Sequence, residues 1–215
     1  HINNNFDFQE MLSEMLGELN GSHTGARYWG SVAPMSTAAL GAFFDNDYNG
    51  DGIRIKEIIE LGPLTATDAK DIKEGTIITK IDGKPIKNGE DYYPLLAGKA
   101  GKKVLIAFKA SETAAEKEVW IKPISYGEQS NLLYRRWVEQ RRAMVDKLSD
   151  GRIGYVHIRG MDSESFRTVY SELLGRCRNK EAVVVDTRHN GGGWLHDDLV
   201  TLLDGKEYQR FEPRG

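Results

Sequence analysis

"GTIITKIDGKPI", residues 75–86, decides the fold of the middle of this chain. Its apolar residues alternate in the manner of a strand. Asp82–Gly83 then supplies two residues that tolerate the positive φ of a tight turn, so the stretch reads as a β-hairpin. The texture continues outward on both sides. "ALGAFF" (39–44) and "GIRIKEIIEL" (52–61) read as strands joined by the turn-rich "DNDYNGDG" (45–52). "NGEDYYPLLAGKAG" (88–101) reads as a short helix closed by glycine. "KKVLIAFKA" and "EKEVWIKPI" pair as a last hairpin. Ala38 to about Ile124 is therefore a β-rich module with one or two small helices.

Both flanks change period. In residues 6–19, Phe8, Met11, Leu12, Met15, Leu16 and Leu19 recur at helical spacing. The pattern breaks at Asn20–Gly21, and residues 30–37 read as a linker. In 129–148, Leu133, Trp137, Met144 and Leu148 fall near one face of a second helix, whose four arginines read as a solvated face. "RIGYVHI" (152–158) is a strand. The helix that follows, capped by Asp162 or Ser163, turns Phe166, Val169, Tyr170, Leu173 and Leu174 inward. "EAVVVDTR" (181–188) is an apolar strand of the kind found in sheets covered on both faces, and 194–205 reads as another helix. Strand, helix and strand make one right-handed parallel crossover. The fold class is mixed α+β: an N-terminal helical segment, a central β-rich module and a C-terminal α/β unit.

The totals narrow the function. A chain of 215 residues with 40% hydrophobic and 28% charged residues can bury a core. A net charge of −3 gives no electrostatic case for nucleic acid or an anionic membrane. No apolar run approaches the ~20 residues of a membrane span. "HINNNFDF" carries neither the basic nor the apolar region of a signal peptide, and with no initiator Met it reads as the start of an excised piece. The expected compartment is the cytoplasm, or outside it if a signal was removed upstream. The single cysteine, Cys177, forms no internal disulfide and reads as a packing residue on the helix around 163–177.

Three stretches could carry chemistry. Gly191, Gly192 and Gly193 follow a buried strand at its carboxyl end and open a helix, where ligands of α/β sheets bind. Their amides could hold a phosphate or an oxyanion. Neither G-x-x-x-x-G-K-[ST] nor G-x-G-x-x-G is present, so phosphate is the weaker reading. Ser22–His23 sits among small residues with room for a substrate, and the imidazole could serve as a base. Asp45, Asp47, Asn49 and Gly50 open like a calcium loop, but its twelfth position is Lys56, so a plain hairpin turn is the better reading and no metal is expected. No cofactor is called for.

The central module resembles a PDZ domain over about residues 38–125, through "IKEGTIITKIDGKPI" and through "ALGA", Ala39, Leu40, Gly41 and Ala42. The latter matches the loop whose amides capture a peptide's terminal carboxylate. With "SHTGARY" before it and "D-x-R-x-NGGG" after it, essentially the whole chain resembles the tricorn-like serine peptidases of the C-terminal processing superfamily. That resemblance implies a Ser–His–Ser–Glu tetrad in which His23 is the general base and Ser22 the serine linking it to a glutamate. It places an oxyanion-hole amide among Gly191–Gly193, with Gly192 or Gly193 favoured. It also implies a peptide or unfolded-protein substrate and a homo-oligomer. The family's nucleophilic serine follows the glycine turn, where no serine of this chain fits, so the expectation is a fragment inactive alone. Its divisions are 1–36 (end of a first core subdomain), 37–126 (PDZ), 127–150 (connecting helix) and 151–215 (start of a second core subdomain). Two other readings compete: a non-catalytic PDZ adaptor, and a phosphate-binding α/β domain in which Arg188 meets the phosphate.

Overall fold

A computed structural model describes residues 2–21, 23–30 and 36–204. Helix α1 (Asn5–Gly17) starts where Asn4 Oδ1 accepts from the amides of Phe6 and Asp7, an N-cap that satisfies two of the four orphan donors. Residues 23–30 fold back along it. Ser13 Oγ donates to the Ala26 carbonyl at 3.0 Å, Thr24 Oγ1 donates to that of Leu16 at 3.2 Å, and the Phe6 and Tyr28 rings meet edge to face at 5.1 Å. No residue of α1 is buried.

The central module follows: β1 (Ala38–Ala39), β2 (Ala42–Phe44), β3 (Ile53–Ile58), β4 (Ile77–Ile81), β5 (Lys84–Pro85), β6 (Val104–Lys109), β7 (Lys117–Ile121) and β8 (Ile124–Ser125). Six of these form an antiparallel sheet in the order β2-β3-β4-β6-β7, with β5 paired to β4. β1 pairs separately with β8, Ala38 opposite Ser125. The predicted hairpin is present, with Asp82 and Gly83 at φ 49° and 76°. Asp82 also accepts from the Leu105 amide at 2.9 Å, which ties the turn to β6. Ile55, Leu64, Ile78, Ile81, Leu96, Val104, Ile106 and Phe108 dominate one core, each contributing about 1.5–3 kcal/mol through burial. The expected helix in 88–101 is a 3₁₀ turn, Tyr93–Leu96, entered where Asp91 accepts from the Tyr93 amide and followed by Gly98 at φ 65°. The calcium-like stretch is a hairpin connection in which Asp45 pairs with Arg54 at 2.5 Å.

The third region is α2 (Tyr126–Leu148), β9 (Ile153–His157), α3 (Ser163–Leu174), β10 (Ala182–Asp186) and α4 (His196–Asp204). β9 and β10 are parallel in register, Ala182 opposite Ile153 and Asp186 opposite His157. Val156, Ile158, Val169, Cys177, Leu195 and Leu199 form a second core. Cys177 is buried as expected, three residues past the end of α3.

Some sequence expectations need correction here. Tyr170 and Leu174 are about half exposed, so the inward face of α3 is narrower than its pattern. Val184 is 42% exposed while Val183 and Val185 pack on the core. One face of β10 is thus uncovered among the described residues. In α2, Met144 and Leu148 are exposed, and of the four arginines only Arg135 is exposed as expected while the other three are half-buried. Arg136 pairs with Glu57, Arg142 bridges Glu139 and Glu172 at 2.6 Å, and Arg141 lies over the Trp137 ring. Such arginines bury their stems while their heads find carboxylates or rings. No helix among the described residues is long and apolar enough to cross a membrane.

Candidate active site

β9 and β10 end together at His157 and Asp186, and the chain leaves β10 through "DTRHNGGG". Asp186 is buried and surrounded by donors. The Arg188 guanidinium folds back onto it, Nη2 to Oδ2 at 2.5 Å and Nε to both oxygens at 3.0 Å. The Arg188 amide donates at 3.0 Å and the Tyr155 hydroxyl at 2.7 Å. Arg188 first, and Tyr155 after it, hold the carboxyl well below the usual carboxylate range despite its burial. Burial, helped by that carboxylate, pushes the Tyr155 phenol up to about 12. The D-x-R element of the sequence is therefore a self-chelated corner that fixes where the glycines begin.

Two side chains set the path beyond it. His157 Nε2 bonds the Arg188 carbonyl at 2.8 Å. A carbonyl only accepts, so Nε2 carries a proton, and Nδ1 lies within hydrogen-bond distance of the Tyr134 hydroxyl at 2.9 Å. Asn190 donates through Nδ2 to the Ile158 carbonyl at 2.9 Å and accepts at Oδ1 from the Gly192 amide at 2.8 Å. Gly192 and Gly193 have φ of 82° and 143°, which side chains rarely adopt. Gly193 bridges Met161 in parallel fashion, and a Cβ on it would lie 2.6 Å from that of Met161. All three glycines are exposed.

The glycines do not open the helix directly. Trp194 and Leu195 intervene before α4, and the Leu199 amide closes its first turn onto the Leu195 carbonyl. The helix field falls off within a turn, and Asp197 and Asp198 already occupy that first turn. What this turn can offer an anion is its peptide amides.

Trp137, Tyr134, Leu133 and Ser130 of α2, with His157, Arg159 and His189, line a cavity of about 500 Å³ at these strand ends. Trp137 meets the rings of His157 and His189 at 4.9 and 6.0 Å and the Arg188 guanidinium at 5.3 Å. Sequence reading missed this wall. Its signal was the "YRRW" step of α2, whose aromatics face the strands.

Of the other predicted residues, His23 is exposed in a turn at φ 63°, and among the described residues its ring makes no hydrogen bond or ion pair. Ser22 lies outside the described residues. Ala39, Leu40, Gly41 and Ala42 are buried. Gly41 needs its φ of 75° and its bare Cα, since a Cβ would lie 2.5 Å from Pro63.

Residues 43–126 match the tricorn protease PDZ domain, and residues 152–205 match peptidase family S41. A tricorn protease homolog of Saccharolobus solfataricus is 30% identical over 94% of the chain and 19% of its own length. The tricorn protease of Thermoplasma volcanium is 24% identical over 97% of the chain and 21% of its own length. The chain thus spans about a fifth of the curated relatives it matches. A crystal structure of tricorn protease superposes on the whole chain with a TM-score of 0.75 at 24% identity, covering 21% of that chain. Two adjoining family matches, in the order PDZ then peptidase, make this chain similar along its length to one part of the tricorn proteases.

Proposed function

We propose that this chain serves a serine-type endopeptidase that hydrolyses peptides. The glycine turn after β10 receives the oxyanion, and Ala39–Ala42 hold or position a substrate's C-terminus. In this reading residues 1–36 close one core subdomain, 37–126 are the PDZ domain, 127–150 connect, and 151–215 open the second core subdomain. The observation that carries it is the turn itself. Asp186, His157 and Asn190 pin its entry, and Gly192 and Gly193 take conformations that turn the backbone sharply at an exposed strand end.

His23 is the general base, and a hydroxyl supplied from outside residues 1–215 is the nucleophile. That hydroxyl attacks the scissile carbonyl as the imidazole takes its proton. The carbonyl oxygen becomes an anion held by a glycine amide, and the imidazolium then protonates the departing amine. Ser22 orients His23. The Gly192 amide already has a partner in Asn190, so Gly192 would act as the oxyanion donor only by exchanging that bond.

The test is a fluorophosphonate probe applied to the intact protein and to residues 1–215 alone. The intact protein should label and the chain should not. Labelling of the isolated chain would place the nucleophile inside it and overturn the assignment. In the intact protein, Ser22→Ala should cost less turnover than His23→Ala, because Ser22 makes and breaks no bond.

A further inference from the structure

The loop read as a carboxylate-capture site is not empty of acceptors. The Gly41 amide donates to Gln129 Oε1 at 3.2 Å, across 88 positions of sequence. The pairing of β1 with β8 sets this up. Ala38 opposite Ser125 and Ala39 opposite Ile124 bring the start of α2 beside the loop. A capping box between Ser125 and Glu128 fixes that helix start, the Ser125 amide donating to Glu128 at 2.7 Å. Gln129 is the next residue.

The same groove is otherwise suited to an extended peptide. β2 is the terminal strand of its sheet. A cavity of about 310 Å³ lies beside it, walled by Leu40, Phe44, Tyr92, Tyr93, Tyr126 and Gln129. The Tyr92 and Tyr93 rings stack at 4.5 Å and Tyr92 meets Phe44 edge to face. Apolar walls, a free strand edge and a backbone amide at one end are the parts of strand addition with terminal capture. The amide at that end is held by a carboxamide oxygen of the chain itself.

We propose that Gln129 is a tethered competitor of the peptide carboxylate: a C-terminus enters the loop by displacing the Gln129 side chain from Gly41. This rests on the capture reading of Ala39–Ala42 given above. A carboxylate makes the stronger, charge-assisted bond to the amide, while Gln129 holds the advantage of being intramolecular. Gln129 thereby selects against weak ends: an amidated terminus gains too little to displace it.

The experiment titrates residues 1–215 with a short N-acetylated peptide ending in leucine, as free acid and as amide, by calorimetry. The wild-type chain should prefer the free acid. Gln129→Ala should tighten the free acid by about 2- to 12-fold, the worth of one neutral hydrogen bond. Gln129→Glu, a tethered carboxylate, should weaken it by a similar factor. The Gly41 amide resonance should shift in Gln129→Ala and, in the wild type, on adding the free acid, which tests the contact without relying on affinity. Preference for the free acid with no gain in Gln129→Ala and a Gly41 resonance that moves on adding the acid but not in Gln129→Ala overturns the competitor and leaves capture standing. Equal treatment of acid and amide by all variants, or no binding to any, overturns capture and the competitor with it.

Discussion

The two halves of the proposed site are built in opposite ways. The glycine turn is over-determined: Asp186 accepts from three groups, His157 bonds the Arg188 carbonyl, and Asn190 ties the turn to the Ile158 carbonyl. The turn carrying His23 hangs from a helix with no buried residue, held by Ser13, Thr24 and an aromatic pair, all within residues 1–30. An oxyanion bed works by preorganisation, and the turn proposed for that role is pinned by this chain's own side chains. The proposed base works by reach, and Phe6, Met15, Leu19 and Trp29 around its turn are all more than half exposed.

That contrast can be broken most sharply by kinetics. In the intact protein, His23→Ala should lower kcat/KM for peptide hydrolysis by about 10⁶-fold, as removal of a general base does elsewhere. Unchanged turnover would return His23 to the surface. Hydrogen exchange on residues 1–215 comes next. Amides of α1 should exchange with little protection, and those of β4 and β6 should approach the global limit, a spread of several kcal/mol. Equal protection would show α1 to be part of a core after all.

Smaller effects probe the rigid half. Gly193→Ala must place a Cβ against Met161 at φ 143°, which should cost about 1–3 kcal/mol in thermal unfolding. Asp186→Ala leaves the buried Tyr155 hydroxyl without its partner and should cost about 1–3 kcal/mol. The same carboxylate gives a pH signature. Its folded pKa lies below the unfolded one, so its stabilisation is complete above the ordinary carboxylate range, near pH ~4, and is lost as pH falls beneath it. Asp186→Ala should remove that acid-limb loss. An unchanged acid limb would mean Asp186 is not the group responsible.

What the sequence revealed follows from where the information is local. The 75–86 hairpin was legible because its turn chemistry sits between its own strands. The strand–helix–strand crossover was legible from periods and from Asp162, which caps α3 as expected. The face of α2 was not, because arginines that bridge to Glu57 and Glu172 look identical in sequence to arginines in water. Nor was the exposed face of β10, since an apolar run does not say how many layers cover it. The start of α2 could have been found: Ser125-x-x-Glu128 is a capping box in plain sight. Gln129 on Gly41 could not, because no local pattern links residues 88 positions apart. At the glycine turn the sequence named the three glycines but not the Tyr134–His157–Arg188 chain or Asn190, which pin it.

The central claim is that a base near residue 23 and amides near residue 192 converge on one reacting carbonyl. A crystal structure of the intact protein with a covalent phosphonate tests it most directly. The account predicts a phosphonyl oxygen about 2.7–3.1 Å from an amide of Gly191–Gly193, the geometry of an oxyanion hole, with the His23 ring within hydrogen-bond reach of the modified hydroxyl. A phosphonate bound away from both would contradict it.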